Sequence, residues 1–107
     1  MFDLSIITIN YNNASGLKQT VDSVVNQSNK NFEYIIIDGN STDKSKRIID
    51  SLEFENLKWI SEEDSGIYNA MNKGIKMATG RYVLFLNSGD YLINETILNQ
   101  VYFDLKD

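Results

Sequence analysis

Residues 82–90 form an apolar run that ends in a polar turn, with the sequence Tyr-Val-Leu-Phe-Leu-Asn-Ser-Gly-Asp. Because no polar residue interrupts its apolar part, the run predicts a β-strand that is covered on both faces, as in a parallel sheet. Ligands of open parallel sheets bind just beyond the carboxyl ends of the strands. The run therefore predicts that Asp90 meets a metal ion or a phosphate group. The alternative is a simple turn, since all four residue types at 87–90 favour turns.

Strand-like and helix-like segments alternate along the chain. Runs rich in β-forming residues lie at 4–9, 32–37 and 57–60, ahead of the run that ends at Asp90. Apolar residues at helical spacing lie between these runs, most clearly Ile67, Ala70, Met71, Gly74, Ile75 and Ala78. A last amphipathic segment carries Ile97, Leu98, Val101, Tyr102 and Leu105. This alternation predicts an α/β fold with a mainly parallel sheet and helices on both faces, and Gly80 is predicted to end the third helix as its C′ residue.

Polar loops follow all four predicted strands, at 10–13, 38–43, 62–66 and 87–90. Because parallel strands joined by right-handed crossovers all end at one edge of the sheet, these loops are predicted to lie together. Their carboxylates, Asp38, Asp64 and Asp90, would repel each other at that edge unless they hold a cation or accept hydrogen bonds.

Composition narrows the chemistry that such an edge can perform. The chain of 107 residues is expected to form one domain over 1–107, and its net charge of −5, without blocks of like charge, argues against nucleic-acid binding. The absence of Cys and His excludes thiol and serine–histidine chemistry and leaves Mg²⁺ or Mn²⁺ as the expected metals. No apolar run is long enough to span a bilayer, and no signal peptide is recognisable, so a cytoplasmic protein is expected.

Four motifs, taken in order, resemble those of family 2 glycosyltransferases of the GT-A fold. The motifs are Ser-Ile-Ile-Thr-Ile-Asn-Tyr-Asn at 5–12, Ile-Ile-Ile-Asp-Gly-Asn-Ser-Thr-Asp at 35–43, Glu-Asp-Ser-Gly-Ile-Tyr-Asn-Ala-Met-Asn-Lys-Gly-Ile at 63–75, and the stretch 78–90. The resemblance covers nearly the whole chain and implies a Rossmann-like domain that binds a nucleoside-diphosphate sugar. In a complete enzyme it implies metal-dependent transfer of the sugar, with inversion, to a saccharide or glycolipid acceptor.

The resemblance also implies roles for individual residues. Tyr11 would stack on the base, and Asp38 would accept a hydrogen bond from its imide N–H, which fits uracil better than adenine. Asp90 would bind Mg²⁺ or Mn²⁺, although the family's acidic motif has Gly89 here in place of an acid that contacts the sugar. The remaining implied nucleotide-binding residues are Thr8, Asn10, Asp64, Asn72, Lys73, Asn87 and Ser88.

Four of these residues also have a purely structural interpretation. Tyr11 could be a half-buried packing aromatic, and Asp38 a turn or helix-capping carboxylate. Asp64 precedes Ser-Gly, where an Asp usually caps a helix, and a lysine on a helix such as Lys73 is usually solvated.

Family members are longer than this chain, and their second half carries the acceptor site and the carboxylate that deprotonates the acceptor. None of the later acids, Glu95, Asp104 and Asp107, lies in a loop of the expected kind. The chain is therefore expected to be the donor-binding half, inactive in transfer by itself. A non-catalytic nucleotide-binding or assembly module is one alternative, and a Mg²⁺-dependent phosphoryl-transfer domain is another.

Two further expectations concern surfaces. Leu92, Ile93 and Phe103 are expected to be exposed apolar residues that favour a homo-oligomer. The family resemblance implies action at the cytoplasmic face of a membrane, as a peripheral protein.

Overall fold

The computed structural model describes residues 2–105 and consists of alternating strands and helices. In chain order the elements are β1 (Leu4–Asn10), α1 (Ala14–Val25), β2 (Glu33–Asp38), α2 (Ser45–Asp50), β3 (Leu57–Ser61), α3 (Ile67–Met77), β4 (Tyr82–Phe85) and α4 (Ile97–Leu105). Asp107, one of the later acids considered above, lies outside the described residues, and so do the side chains of Tyr102 and Leu105.

The four strands form one parallel sheet in the order β3-β2-β1-β4. In its register Asn10 pairs with Asp38, and Asp38 pairs with Ser61, so the last residues of three strands lie side by side. The prediction of an α/β fold with a parallel sheet, in which the strand-end loops share one edge, is confirmed.

Both faces of the sheet are covered by helices, as predicted, and each face has its own apolar core. On one face, residues such as Ile6 and Ile36 pack with Leu17 and Val21 of α1 and with Leu98 of α4. The opposite core consists of Ile7, Ile35 and Ile37 with Ala70 of α3. Here α3 lies so close to the sheet that a Cβ at Gly74 would stand 2.7 Å from a methyl carbon of Ile7. Glycine at this position therefore sets the distance between helix and sheet.

Strand β4 differs from its prediction in coverage. It ends at Phe85 and lies at the edge of the sheet, with β1 as its one strand neighbour among residues 2–105. Tyr82 and Val83 each remain 40% exposed. The expectation of a strand covered on both faces is wrong for these residues, because α3 packs over β1 and β2 rather than over β4.

Two smaller expectations also need correction. α3 ends at Met77 with Ala78 extended, and Gly80 is glycine because a Cβ there would stand 2.7 Å from the amide nitrogen of Ser5. Gly80 therefore permits close approach to β1 instead of forming a left-handed helix cap. Leu92 is half-buried against the α1 core, whereas Ile93 and Phe103 are exposed as expected.

Candidate functional site

A cleft of about 330 Å³ opens at the carboxyl ends of β1 and β4, beside the start of α3. It is lined by Ile9, Asn10, Tyr11, Asn13, Asp64, Gly66, Ile67, Ala70, Asn87 and Ser88. Half of these lining residues are among the predicted nucleotide-binding residues, namely Asn10, Tyr11, Asp64, Asn87 and Ser88. The fold thus brings residues from the loops after β1, β3 and β4 to one concave surface.

Tyr11 and Asp64 approach each other over Gly39, which follows β2. A Cβ at Gly39 would stand 3.2 Å from Cδ1 of Tyr11 and 3.1 Å from Oδ2 of Asp64, so a larger residue would push one of them away. The Tyr11 side chain is 66% exposed, which excludes the interpretation of a half-buried packing aromatic. Asp64 also accepts a hydrogen bond of 3.1 Å from the Gly66 amide at the start of α3. Its carboxylate therefore orders the helix start and lines the cleft.

Asp38 is fully buried, and its carboxylate accepts four strong hydrogen bonds. Oδ1 accepts from Asn10 Nδ2 at 2.9 Å and from the Ser41 hydroxyl at 2.7 Å, while Oδ2 accepts from the Ser41 amide at 2.9 Å and the Ser61 hydroxyl at 2.7 Å. Burial by itself raises the pKa of this carboxyl, but the bonds from Ser41, Asn10 and Ser61 outweigh burial and hold the pKa below its ordinary value. Asp38 is therefore ionised and joins three strand ends.

Asn10 connects this buried carboxylate to the cleft. Its Nδ2 donates to Asp38, and its Oδ1 accepts a hydrogen bond of 2.6 Å from the Ser88 hydroxyl. Because Asn10 is itself buried, these two bonds fix its amide orientation. The loop after β4 is thereby joined through one side chain to the ends of β1 and β2.

The loops after β1 and β2 are also joined by Asn12, whose φ of 47° lies in the left-handed region that asparagine tolerates. Its Oδ1 accepts from the Thr42 amide at 2.7 Å, and its own amide donates to the Ser41 hydroxyl at 2.9 Å. The two loops thus hold each other in place.

Asp90 belongs to a tight turn, residues 87–90, in which its amide donates to the Asn87 carbonyl at 2.8 Å. Gly89 has a φ of 104°, a conformation that side chains disfavour, which explains glycine at the position where the family has an acid. The Asp90 carboxylate is exposed and accepts from the Asn87 amide at 3.2 Å. The Asn87 Oδ1 is buried and has no hydrogen-bond partner among residues 2–105.

These oxygen atoms fit the requirements of a hard divalent cation. Mg²⁺ and Mn²⁺ prefer carboxylate and amide oxygens, and Mg²⁺ sites commonly use one or two carboxylates completed by phosphate oxygens and water. Within the described part of the chain, no three acidic side chains come together as a ligand group. The donor set therefore fits a metal that takes most of its ligands from a bound diphosphate.

A polar row along α1, consisting of Asn13, Thr20, Ser23 and Gln27, holds the segment that follows β4. Asn13 Nδ2 donates to the Ser88 carbonyl at 3.3 Å, and the Ser23 hydroxyl accepts from the Leu92 amide at 3.1 Å. This row was not among the features predicted from the sequence. Its members recur at helical spacing beside the apolar stripe of α1, a signal that would have revealed a second buried side of the helix.

Gln27 lies just beyond the carboxyl end of α1 and is fully buried. Its Nε2 donates to the Asn94 carbonyl at 2.6 Å, and its Oε1 accepts from the Leu98 amide at 3.2 Å. One fully buried side chain therefore joins α1 to the start of α4.

Besides the buried Asp38, three predicted nucleotide-binding residues do not line the cleft. Thr8 is fully buried and shares a hydrogen bond of 2.7 Å with the Tyr34 hydroxyl. Lys73 forms an ion pair of 3.2 Å with Glu62, so it holds the acidic loop after β3, and Asn72 is exposed on α3. The cleft as it stands does not include these three side chains.

Comparison with known proteins decides the family. The model of the family described as glycosyl transferase family 2 matches residues 5–104. The chain belongs to glycosyl transferase family 2. The resemblance stated from the four sequence motifs is confirmed.

Similar family members come from several bacteria. UDP-Glc:alpha-D-GlcNAc-diphosphoundecaprenol beta-1,3-glucosyltransferase WfaP of Escherichia coli is 38% identical over 101 residues, which cover 94% of this chain and 40% of WfaP. A PGL/p-HBAD biosynthesis glycosyltransferase of Mycobacterium bovis is 36% identical over 104 residues, with coverage of 94% and 40%. The chain thus spans about 40% of the length of these curated relatives.

Solved structures confirm the GT-A glycosyltransferase fold. The crystal structure of S. aureus TarS 1-349 in complex with UDP matches with a TM-score of 0.85 and 30% sequence identity, covering 96% of this chain and 31% of the TarS chain. The same TarS fragment, in complex with UDP-GlcNAc, gives the same TM-score and identity.

Among residues 2–105 of the family 2 chain, no helix is both long enough and apolar enough to cross a bilayer.

Proposed function

We propose that the cleft binds the nucleoside diphosphate of a nucleotide-sugar donor, with UDP as the preferred nucleotide. The observation that carries this proposal is that an exposed aromatic ring, Tyr11, and the turn that ends at Asp90 belong to loops that meet at one cleft. An aromatic ring stacks on a base, and an oxygen-rich turn suits a metal with a diphosphate. The UDP complex of the similar TarS chain supports uridine.

Recognition of the base by Asp38 requires a local change. All four hydrogen-bonding positions of the carboxylate are filled, so a uracil imide N–H would have to replace one donor. Ser61 is the donor best able to leave, because it is half-exposed and its hydroxyl turns about a single bond. We propose that Asp38 accepts from the base when the Ser61 hydroxyl turns away.

We propose that Asp90 holds Mg²⁺ or Mn²⁺ together with the diphosphate. A bound divalent ion would stabilise negative charge on the departing nucleoside diphosphate. The residues of the 87–90 turn supply one anionic ligand and hold its backbone in place. Asn87 and Ser88 line the same part of the cleft and are proposed to contact the diphosphate or the sugar.

We propose that residues 1–107 provide donor binding, whereas the base that deprotonates the acceptor comes from the region that the longer relatives have beyond the match. Neither Glu95 nor Asp104 lines the cleft. The complete reaction is proposed to invert the anomeric centre, since an acceptor hydroxyl would attack opposite the departing nucleotide. A non-catalytic nucleotide-binding module is the second candidate, and acceptor-dependent turnover of a UDP-sugar by the full-length protein would decide between them.

The acceptor is proposed to be a lipid-linked saccharide at the cytoplasmic face of a membrane. The name of the E. coli relative, which specifies a diphosphoundecaprenol-linked acceptor, supports this class.

Self-association is proposed to use Ile93 and Phe103, which are 76% and 72% exposed. Light scattering over a dilution series should then show a species larger than a monomer that the double variant Ile93→Ser and Phe103→Ser loses; a monomer at all concentrations would contradict this.

Titration calorimetry tests the donor site directly. The chain should bind UDP more tightly than ADP, and Mn²⁺ should increase the affinity for UDP. Asp90→Asn should abolish most of the gain from Mn²⁺ and leave the fold intact, because it removes an exposed anionic ligand. Asp104→Asn on α4 is the matched control and should behave like the wild type. Equal affinity for UDP and ADP would refute the uridine site, and an unchanged Mn²⁺ effect in Asp90→Asn would refute the metal ligand.

A further inference from the structure

Thr20 is a buried residue of α1 that contacts the turn carrying Asp90. Its Oγ1 lies 2.5 Å from the Asp90 carbonyl oxygen, 3.3 Å from that of Asn87 and 3.0 Å from that of Gly16. The Gly89 amide donates to Thr20 Oγ1 at 3.0 Å and also lies 3.1 Å from the Gly16 carbonyl oxygen. Three of these four backbone groups belong to the 87–90 turn. Thr20 is fully buried and does not line the cleft.

The hydrogen bonds of this hydroxyl can be assigned from its chemistry. A hydroxyl has one hydrogen to donate and two lone pairs that accept. The shortest contact assigns the hydrogen to the Asp90 carbonyl, and the Gly89 amide donates to a lone pair. A threonine within a helix usually donates to the carbonyl four residues earlier, here Gly16. At Thr20 that local bond competes with a shorter one to the turn.

Residues 87–90 lie outside the strands and helices, so the path of their backbone depends on individual hydrogen bonds. Gly89 adopts a φ of 104°, and the polypeptide continues to α4 without another strand. The direction of the Asp90 side chain follows from the backbone at Gly89 and Asp90. Thr20 contacts the Gly89 amide and the Asp90 carbonyl, which lie just before and just after the peptide group that joins these two residues. The hydroxyl therefore restrains the part of the backbone from which the exposed carboxylate projects.

We infer that Thr20 is a positioning residue for the metal and diphosphate end of the donor site. Through its hydroxyl it fixes the backbone at Gly89 and Asp90 and thereby directs the Asp90 carboxylate into position. This inference rests on the proposed function, since an effect on ligand binding requires that Asp90 take part in it. Thr20 acts through the turn and touches no ligand itself.

Three variants separate this role from a general contribution to stability. Thr20→Val removes the hydroxyl and keeps the branched shape, and Thr20→Ser keeps the hydroxyl. The matched control is Ser5→Ala, because the Ser5 hydroxyl is equally buried and also accepts from a glycine amide, that of Gly80, at 2.9 Å. Ser5 lies near the amino end of β1, at the other end of the strands from the cleft. Denaturation in urea establishes that each variant folds. Should Thr20→Val fail to fold, Thr20→Ala takes its place under the same criteria.

The first measurement uses no ligand and follows amide hydrogen exchange by NMR. Thr20→Val should speed exchange at the Gly89 amide, which then keeps only the Gly16 carbonyl, 3.1 Å away, as an acceptor, whereas Thr20→Ser and Ser5→Ala should leave the exchange near the wild-type rate. The second measurement is calorimetry of UDP with and without Mn²⁺. Thr20→Val should lose about 10–100-fold of the Mn²⁺-dependent affinity, the loss typical when a supporting partner of a metal ligand is removed. Its affinity for UDP without metal should remain near that of the wild type.

The outcomes distinguish the inference from the function on which it rests. Unchanged Gly89 exchange or unchanged Mn²⁺-dependent affinity in Thr20→Val would overturn the inference while the wild type still binds UDP and Mn²⁺. Equal losses in Thr20→Ser and Thr20→Val, or equal losses with and without Mn²⁺, would also overturn it, because the hydroxyl would not be the cause. A wild type that gains no affinity from Mn²⁺ would refute the proposed metal role, and this inference with it.

Discussion

Replacing Asp38 by alanine should destabilise the fold, because this substitution leaves buried donors without an acceptor. Of the four donors to Asp38, the Ser41 amide and Asn10 Nδ2 can only donate, whereas the two serine hydroxyls can turn to other partners. Each unpaired buried donor costs about 1–3 kcal/mol, so the free energy of unfolding should fall by about 2–6 kcal/mol. The lower end is expected, since Asn10 Nδ2 also lies 3.4 Å from the Ser41 hydroxyl.

Urea denaturation followed by circular dichroism measures this change. Asp22→Ala is the control, because Asp22 forms an exposed ion pair of 2.8 Å with Lys18, and such pairs contribute about 0–1 kcal/mol. A loss below about 1 kcal/mol in Asp38→Ala would refute the reasoning, since even one unpaired donor should cost that much.

The same variant also tests base recognition. If Asp38 accepts a hydrogen bond from uracil, Asp38→Ala should lower the preference for UDP over ADP by about tenfold or more, because a hydrogen bond to a charged group contributes about 1.5–3 kcal/mol. The ratio of the two affinities, measured in conditions where the variant is folded, reports this effect alone. An unchanged ratio together with a large loss of stability would mean that Asp38 only holds the strand ends together.

Two further predictions concern Glu33 and Tyr11. Burial alone raises the pKa of Glu33, but hydrogen bonds from Lys58, Thr79 and Ser5 outweigh burial and hold the pKa below its ordinary value of 4.5. The ionised Glu33 therefore stabilises the fold at pH values above 4.5, and this stabilisation is lost as the pH falls through the lowered pKa. Glu33→Gln should therefore lower the free energy of unfolding at neutral pH and flatten its decline in acid; parallel pH profiles would contradict this. Tyr11→Ala should weaken UDP binding by about 1–3 kcal/mol through lost stacking, whereas Tyr11→Phe should retain it, and calorimetry showing similar losses in both would exclude stacking as the cause.

The alternation of elements made the parallel sheet predictable, because β-rich runs such as 32–37 and helical stripes such as that of α3 differ in period. The coverage of β4 was not predictable in the same way. An apolar run records the hydrophobicity of a strand, whereas exposure also depends on which strands and helices lie beside it. Tyr82 and Val83 are therefore apolar and yet half-exposed.

The candidate site was predictable as a set of loops, and less so as a set of contacts. Tyr11 and Asp64 line the cleft because parallel strands bring the loops after β1 and β3 to one edge of the sheet. Thr8 lies within β1 and Asp38 ends β2, but their side chains are engaged by Tyr34 and Ser41, partners that the spacing of motifs does not specify. Hydrogen bonds between residues distant in sequence depend on how neighbouring strands are aligned in the sheet, and the sequence does not specify this alignment.

The polar row of α1 has a consequence for how this domain can vary. Ser23 and Gln27 bond to the main chain of the segment after β4, through the Leu92 amide, the Asn94 carbonyl and the Leu98 amide. Because these bonds reach backbone groups, they do not restrict which side chains most positions of the segment carry. Exposed positions such as Ile93 can therefore vary in sequence. Proline at Leu92 would be the exception, because it lacks the hydrogen that Ser23 binds. Related chains could therefore acquire different surfaces next to the donor turn while the path of the backbone stays the same.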